Sequence, residues 1–320
     1  VKKIGVITSG GDAPGMNAAV RGVVRAALAR EVQVVGFLHG YRGIISEEIV
    51  DLQSPSVGGI ISQGGTMLRT ARSPEFREKA GREQAVQVLR ENEVDGLVVI
   101  GGDGSLTGAR ALHEEFDYPV MGVPGSIDND IAGTDFSIGF DTAVNTALEA
   151  IDKIRDTAYS HERVFVVEVM GRANGFIALE VALSGGAEAV LIPEIPFSLL
   201  EICDNLRKAR SRGKRSSVIV VSEGAARARD VKDFVQKNTG FEARESVLGH
   251  MQRGGSPTSF DRVLALRLGA IAANRLISGF RGEMVGVDGG KLVHHPLSYV
   301  LSTERNIDPD KLLLVEVMAQ

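Results

Sequence analysis

Residues 96–105 read GLVVIGGDGS, and this stretch decides the architecture. Leu97-Val98-Val99-Ile100 is a short, unbroken apolar run rich in β-branched residues, the pattern of a strand buried on both faces. Gly101-Gly102-Asp103-Gly104-Ser105 follows at once and opens a helical pattern near Ser105. A strand that passes through a glycine turn into a helix is the repeating unit of a parallel α/β sheet. The alternation continues on either side. Lys3–Thr8, Gln33–Leu38, Gly96–Ile100, Val120–Val123, Val164–Met170, Ala189–Ile192 and Ser217–Val221 read as buried strands. Asn17–Arg30, Asp141–Tyr159 and Leu199–Arg212 read as amphipathic helices. The expected fold is therefore α/β layers around mainly parallel sheets, with a second set of strands starting near residue 164.

Parallel sheets place ligands outside the carboxyl ends of their strands, so the polar loops at those ends are the candidates for chemistry. Gly10-Gly11-Asp12 follows the first strand, the GGDGS turn follows Ile100, and Pro124-Gly125-Ser126-Ile127-Asp128-Asn129-Asp130 follows Val123. A glycine turn that opens a helix offers backbone N–H groups and the positive end of the helix dipole to phosphate; a purely structural strand-to-helix turn reads the same way. Asp103 beside phosphate calls for Mg²⁺, which binds one or two carboxylates together with phosphate oxygens and water, or else it caps the helix. In Ser126–Asp130 one carboxylate could take the proton of an attacking hydroxyl; an Asx-turn or a cap is the alternative. Neither GxxxxGK[ST] nor GxGxxG occurs, which argues against a P-loop and a dinucleotide fingerprint.

Composition narrows the classes further. The 320 residues are 43% hydrophobic and 24% charged, with a net charge of −5, as in an ordinary globular chain. The acidic balance argues against a nucleic-acid binder, and no apolar run approaches the roughly 18 residues of a membrane helix. The six histidines form no metal pair at helical spacing, there is no CxxC, and the lone Cys203 cannot form an intramolecular disulfide. With Val1-Lys2-Lys3-Ile4 at the start and no apolar leader before the first strand, the expected setting is reducing and cytosolic. The basic residues divide into 26 Arg and 10 Lys, a bias toward the fork that grips phosphate bidentately. Arg72, Arg172, Arg244 and Arg253 lie at strand ends or in glycine turns, where side chains can converge on an anion, and Arg244 is expected just before a short strand.

Together, the segment from Ile4 to Ala18, GGDGS at 101–105, IDND at 127–130, MGR at 170–172 and GHMQRGG at 249–255 closely resemble the bacterial ATP-dependent 6-phosphofructokinases of glycolysis, in their short-chain, allosterically regulated group. The resemblance implies two Rossmann-like three-layer α/β/α domains with the active site in the cleft between them. Residues 1–139 and 252–302 would form the larger, ATP-binding domain, and 140–251 with 303–320 the smaller, sugar-phosphate-binding one. It implies transfer of the γ-phosphoryl group of MgATP to the 1-hydroxyl of fructose 6-phosphate. Asp128 matches the general base, Asp103 the Mg²⁺ ligand, and Gly11, Arg72, Ser73 and Gly102-Asp103-Gly104-Ser105 the ATP site. Arg172 matches the residue that stabilises the transferring group, Asp130 supports it, and Ser126 stands where the family usually has Thr. Met170, Gly171, Glu223 and the His250-Met251-Gln252-Arg253 stretch match the sugar-phosphate site, joined by Arg163 and Arg244 from a neighbouring subunit of a homotetramer.

Arg21, Arg25, Arg155, Gly186, Glu188, Arg212 and Lys214 match the family's effector site, which takes ADP or GDP as activator and phosphoenolpyruvate as inhibitor; Glu188 would bind the nucleotide's Mg²⁺. Ser54 stands where some members have Arg, Pro55 follows it, and Ser216 replaces a common His. Pyrophosphate-dependent relatives carry Asp at the position of Gly104 and Lys at that of Gly125; Gly at both favours ATP. NAD and lipid kinases share a GGDG turn but lack IDND and GHMQRGG. A non-catalytic sugar-phosphate sensor would keep the arginines and lose Asp128, Asp103 or Arg172, all of which are present.

Overall fold

The computed structural model describes residues 1–318 and divides into two compact units, Val1–Thr142 with Arg253–Arg305, and Ala143–Gln252 with the segment that begins at Asn306. Eleven strands form two sheets among the described residues: β1 Lys3–Ser9, β2 Gln33–Phe37, β3 Ile49–Asp51, β4 Leu97–Gly101, β5 Val120–Pro124, β6 Val164–Val169, β7 Ala189–Leu191, β8 Ser217–Ser222, β9 Ala243–Val247, β10 Glu283–Asp288 and β11 Lys291–Pro296. The first unit holds the order β11-β10-β5-β4-β1-β2-β3, and the second β7-β8-β6-β9. All pairs are parallel except those at the two margins of the first sheet, β2 with β3 and β10 with β11. The expected α/β fold with mainly parallel sheets is the observed one. Of the additional strands, β3 is short and β9 and β11 lie at a sheet margin, where apolar periodicity is weak.

Apolar runs become central strands because helices cover both faces. In the first sheet, Ile7, Leu97, Val99 and Val120 share a buried cluster with Leu89 and Leu106, which lie on helices Lys79–Glu91 and Asp103–Phe116. Helices Met16–Leu28 and Ser259–Ile277 pack together so closely that a β-carbon at Gly269 would lie 2.2 Å from the Ala19 carbonyl oxygen. In the second sheet, Val164, Val166, Ile219 and Val221 bury against Cys203 and Leu206 of helix Leu199–Ser211 and Val231 and Val235 of helix Ala228–Thr239. At roughly 1.5–3 kcal/mol for each fully buried large apolar side chain, these contacts outweigh any local preference of the intervening turns.

Strand order locates the ligand crevice of each unit. The chain leaves β1 for β2 on one side and returns to β4 on the other, so the loops after β1 and β4 diverge at a topological switch point. In the second unit β6 lies between β8 and β9, and the turn after β6 holds the same position. No described helix is long and apolar enough to cross a membrane.

Candidate functional site

In the first unit the loops after β1, β4 and β5 meet. A β-carbon at Gly101 would lie 2.4 Å from the Ser9 carbonyl oxygen and 2.6 Å from Ser105 Oγ, so only glycine lets these loops touch. The Gly125 N–H donates to the Gly101 carbonyl at 3.0 Å, which joins the third loop to the second. Arg253 reaches the first loop: Nη1 lies 3.9 Å from Asp12 Oδ1 and would be 2.2 Å from a β-carbon at Gly11. Tyr41 supports the assembly from below. Its hydroxyl donates to the Ser105 carbonyl at 2.6 Å, and its ring stacks on Phe76 at 3.9 Å between centroids. Phe76 belongs to helix Pro74–Arg77, whose N-cap is Ser73, so Arg72 and Ser73 are carried beside the glycine helix. Ser73 Oγ accepts from the Phe76 N–H, a capping contact, and Arg72 is exposed.

Gly104 differs from its neighbours. Its backbone is not left-handed, and a β-carbon there would meet nothing within 4 Å. Neither conformation nor packing requires glycine in this first helical turn, where glycine costs about 0.5–1 kcal/mol relative to alanine. Space in front of the backbone is what it provides. Asp103 is exposed on the same turn. Among the described residues no three His, Cys, Asp or Glu side chains converge on a protein-only metal cage. One exposed carboxylate beside an anion-receptive helix end fits Mg²⁺ arriving with phosphate and keeping its water.

Asp128, by contrast, is 1% exposed. Its N–H donates to Ser126 Oγ at 3.2 Å, and Asn129, at φ 53°, pins the turn by accepting from the Ser137 N–H at 2.8 Å. Arg305 donates to the carbonyls of Thr134 and Asp135 at 2.9 and 2.6 Å and braces the segment just after Asp130. Burial lowers the Arg305 pKa, while Asp135 and Asp130 act to raise it. Asp261 accepts from the N–H of Gly139 (2.9 Å) and from the N–H (2.8 Å) and hydroxyl (2.6 Å) of Thr142, holding the start of helix Phe140–His161. Burial pushes its carboxyl up to about 6 against the pull of those bonds. Tyr41, Asn129, Asp261 and Arg305 escape sequence reasoning because their partners lie elsewhere along the chain or are backbone groups.

In the second unit the turn after β6 is held by side chains. The Met170 N–H donates to Gln252 Oε1 at 2.8 Å, and the N–H groups of Gly171 and Arg172 donate to Glu223 Oε1 at 3.3 and 2.9 Å. Met170, Gly171, Arg172, Glu223 and Gln252 are thus one cluster at the carboxyl end of the sheet. His250 and Met251 share the 3₁₀ turn Gly249–Arg253 and are exposed. Arg163 and Arg244 do not join the cluster. Both pair with Glu242, at 2.9 and 2.6 Å, and Arg163 immediately precedes β6 whereas Met170 follows it. Six strand residues separate these ends by about 20 Å. Arg244 is the second residue of β9, not a residue before a strand; the short edge strand pairs with β6 alone and carries exposed charges that mask it in the sequence.

The proposed effector residues fall into two groups. Arg21 and Arg25 of helix Met16–Leu28 donate to the carbonyls of Val57 and Ser54, the second at 3.1 Å. In the other unit Arg155 donates to the Gly185 and Gly186 carbonyls, and Glu188 pairs with Lys214 at 2.7 Å while accepting from the Val218 N–H. Glu188 and exposed Arg212 line a cavity of about 560 Å³ whose apolar wall includes Ile202, Leu206 and Val315. Asp103 and Asp128 do not line it.

Two doubly wound sheets with glycine-bearing loops at their strand ends define an α/β protein of the kind that handles phosphorylated small molecules. Residues 3–276 match the family model described as Phosphofructokinase, and the chain belongs to that family. It is 52% identical to the ATP-dependent 6-phosphofructokinase of Bacillus pumilus (strain SAFR-032), over 100% of both chains. A crystal structure of Pichia pastoris phosphofructokinase in the T-state superposes with a TM-score of 0.90 at 38% identity, covering 94% of this chain and 35% of that one; the chain spans about a third of the Pichia protein's length. The pyrophosphate-dependent phosphofructokinase of Marinobacter aquaeolei, at 24% identity and a TM-score of 0.85, covers 98% of this chain with 91% of its own and shares the fold.

Proposed function

We propose that the chain is an ATP-dependent 6-phosphofructokinase that transfers the γ-phosphoryl group of ATP to the 1-hydroxyl of fructose 6-phosphate. The observation that carries this reading is the contrast within one site: Gly104, with open space before it, beside exposed Asp103, and Asp128 buried nearby in sequence on the adjoining loop. Full-length identity of 52% to an enzyme bearing that name supports it. Glycine at 104 and at 125 favours ATP over pyrophosphate.

In the reaction, the Asp128 carboxylate takes the proton of the 1-hydroxyl as its oxygen attacks the γ-phosphorus. The bond from that phosphorus to the bridging oxygen breaks, and ADP leaves with the electron pair. Asp103 would hold Mg²⁺, whose charge stabilises the phosphate oxygens. Arg172 neutralises charge on the transferring group, with Asp130 and Ser126 keeping the loop in position. Gly11, Arg72, Ser73 and the 102–105 turn bind ATP; Met170, Gly171, Glu223, His250, Met251 and Arg253 bind the sugar phosphate, and Gln252 serves that site from within the same stretch. Arg163 and Arg244 serve a neighbouring copy's substrate in a homotetramer, a reading supported by the distance of about 20 Å between the two ends of β6. The enzyme works in the cytosol, where its buried Cys203, with a thiol pKa raised by burial, stays reduced.

A coupled assay with MgATP and fructose 6-phosphate tests the reading. Asp128→Ser should lower the rate by roughly 10²–10⁴-fold, and a wild-type chain without turnover, or a fully active variant, would overturn it. Arg163→Ala and Arg244→Ala should weaken fructose 6-phosphate binding while leaving ATP binding nearly intact; unchanged sugar-phosphate affinity in both would remove the shared site. Arg21, Arg25, Arg155, Gly186, Glu188, Arg212 and Lys214 form the effector site for ADP, GDP and phosphoenolpyruvate. A rate indifferent to ADP and phosphoenolpyruvate would remove that assignment.

A further inference from the structure

We infer that Gln252 is a positioning residue: it acts on phosphoryl transfer through the Met170–Arg172 turn, setting the direction of the Arg172 side chain, and not by touching the sugar phosphate. The inference rests on the function proposed above and assigns Gln252 a role that its place in a substrate-binding stretch does not reveal. Three observations carry it. Gln252 is 0% exposed, so no part of its side chain faces solvent or an open crevice. Its Oε1 accepts from the Met170 N–H at 2.8 Å, and because that partner can only donate, the amide orientation is fixed. Its Nε2 is buried with no acceptor among the described residues.

A comparison with methionine separates positioning from stability. Methionine would fill nearly the same volume. What glutamine adds over methionine is a single acceptor, directed at the first residue of the turn.

The turn needs such a restraint. Gly171 adopts φ 150°, and Arg172 is a non-glycine residue at φ 52°, a conformation that costs an L-residue about 1–2 kcal/mol. Three consecutive N–H groups, of Met170, Gly171 and Arg172, all donate to side-chain acceptors, the first to buried Gln252 and the other two to Glu223, which is exposed. The N–H groups of the turn are thus committed to side chains, and Arg172 is exposed. Glu223 holds two of these N–H groups, and Gln252 the one at which the chain leaves β6. Without the Gln252 acceptor, Met170 can rotate and Arg172 can relax toward φ below zero, which would aim its guanidinium elsewhere.

The test is a mutant cycle on the full chain, with steady-state rates at saturating MgATP and fructose 6-phosphate and a thermal unfolding midpoint for every variant. Gln252→Met should lower kcat about tenfold with KM for ATP within about twofold, the split expected when an interaction made in the transition state is lost. Gln252→Glu, which at this depth stays protonated and keeps a carbonyl acceptor, should remain within about threefold of wild type. In an Arg172→Ala background, Gln252→Met should change kcat by less than about twofold, because its route of action is already gone.

Wild-type rates for Gln252→Met would overturn the inference. So would a rise in KM for fructose 6-phosphate at constant kcat, which marks a direct ligand, or a full tenfold loss in the Arg172→Ala background, which marks general damage. A wild-type chain without turnover would instead remove the proposed reaction, and this inference with it.

Discussion

Two turns of this chain occupy equivalent places in two mainly parallel sheets and are built in opposite ways. The Gly101–Ser105 turn after β4 is crowded at its base, where Gly101 meets Ser9, and open in front, where Gly104 meets nothing. The Met170–Arg172 turn after β6 is crowded in front of its glycine, with a β-carbon at Gly171 only 2.5 Å from the Asn174 carbonyl oxygen, and side chains hold its N–H groups. One turn leaves open space before its backbone at Gly104; the other commits its N–H groups to side chains and carries the exposed Arg172. Under the function proposed above, the first turn would bind through its backbone and the second through a side chain.

The sharpest way to break this comparison is a methyl group at each glycine. Gly171→Ala places a β-carbon against backbone that cannot yield and forces alanine to φ 150°. It should destabilise the fold by about 2–3 kcal/mol, read from denaturant unfolding, with a fall in kcat as the turn shifts. Gly213→Ala is the control for backbone strain alone: it too has positive φ, 93°, but nothing within 4 Å, and should lose only about 1 kcal/mol. Equal losses at both positions would show that the contact with Asn174 carries no weight.

The first unit also contains a closed clamp, set apart from its open turn, and pH tests it. Asp261 ties the start of helix Phe140–His161 to helix Ser259–Ile277, and burial raises its carboxyl from 3.8 to about 6. Between those values the folded chain binds the extra proton and the unfolded chain does not. This group's contribution is therefore largest below pH 4, declines as pH rises to 6, and is flat above. The stability difference between wild type and Asp261→Asn should shift against wild type by about 2–3 kcal/mol from pH 4 to pH 7. A pH-independent difference would mean that the three hydrogen bonds fully offset the burial.

Much of this was legible in the sequence where a signal is local. Leu97–Ile100 followed by GGDGS specifies strand, turn and helix start within ten residues, and the observed β4 and the start of helix Asp103–Phe116 agree with it to within two residues. The same holds for β6 and the turn after it. What escaped detection depends on distant partners. Tyr41 supports Ser105 from 64 residues away, and Asp261 reaches Thr142 across 119. Both are ordinary residues in unremarkable stretches until the chain folds. Arg244 illustrates the converse: a charged edge strand has no apolar alternation to announce it. Composition concealed the arginines in another way, since those proposed for substrate and for effector include several already paired with carbonyls or carboxylates, as Arg21, Arg155 and Arg163 are.

The smallest expected effect is also the most diagnostic, because it should move stability and function in opposite directions. At Gly104 alanine replaces a residue that neither conformation nor packing requires. Gly104→Ala should leave the fold as stable as wild type or more stable by about 0.5 kcal/mol, through helix propensity alone. A methyl group in the open space before the turn should nonetheless raise KM for ATP by about tenfold, equivalent to about 1.4 kcal/mol, while KM for fructose 6-phosphate changes little. Gly104→Asp adds a like charge to the same space and should weaken ATP further without unfolding the chain. Paired measurements of KM and thermal midpoint on the two variants decide the matter. Unchanged KM in both would mean that the nucleotide does not use the space before Gly104, and the distinction between an open backbone after β4 and a committed one after β6 would lose its functional meaning.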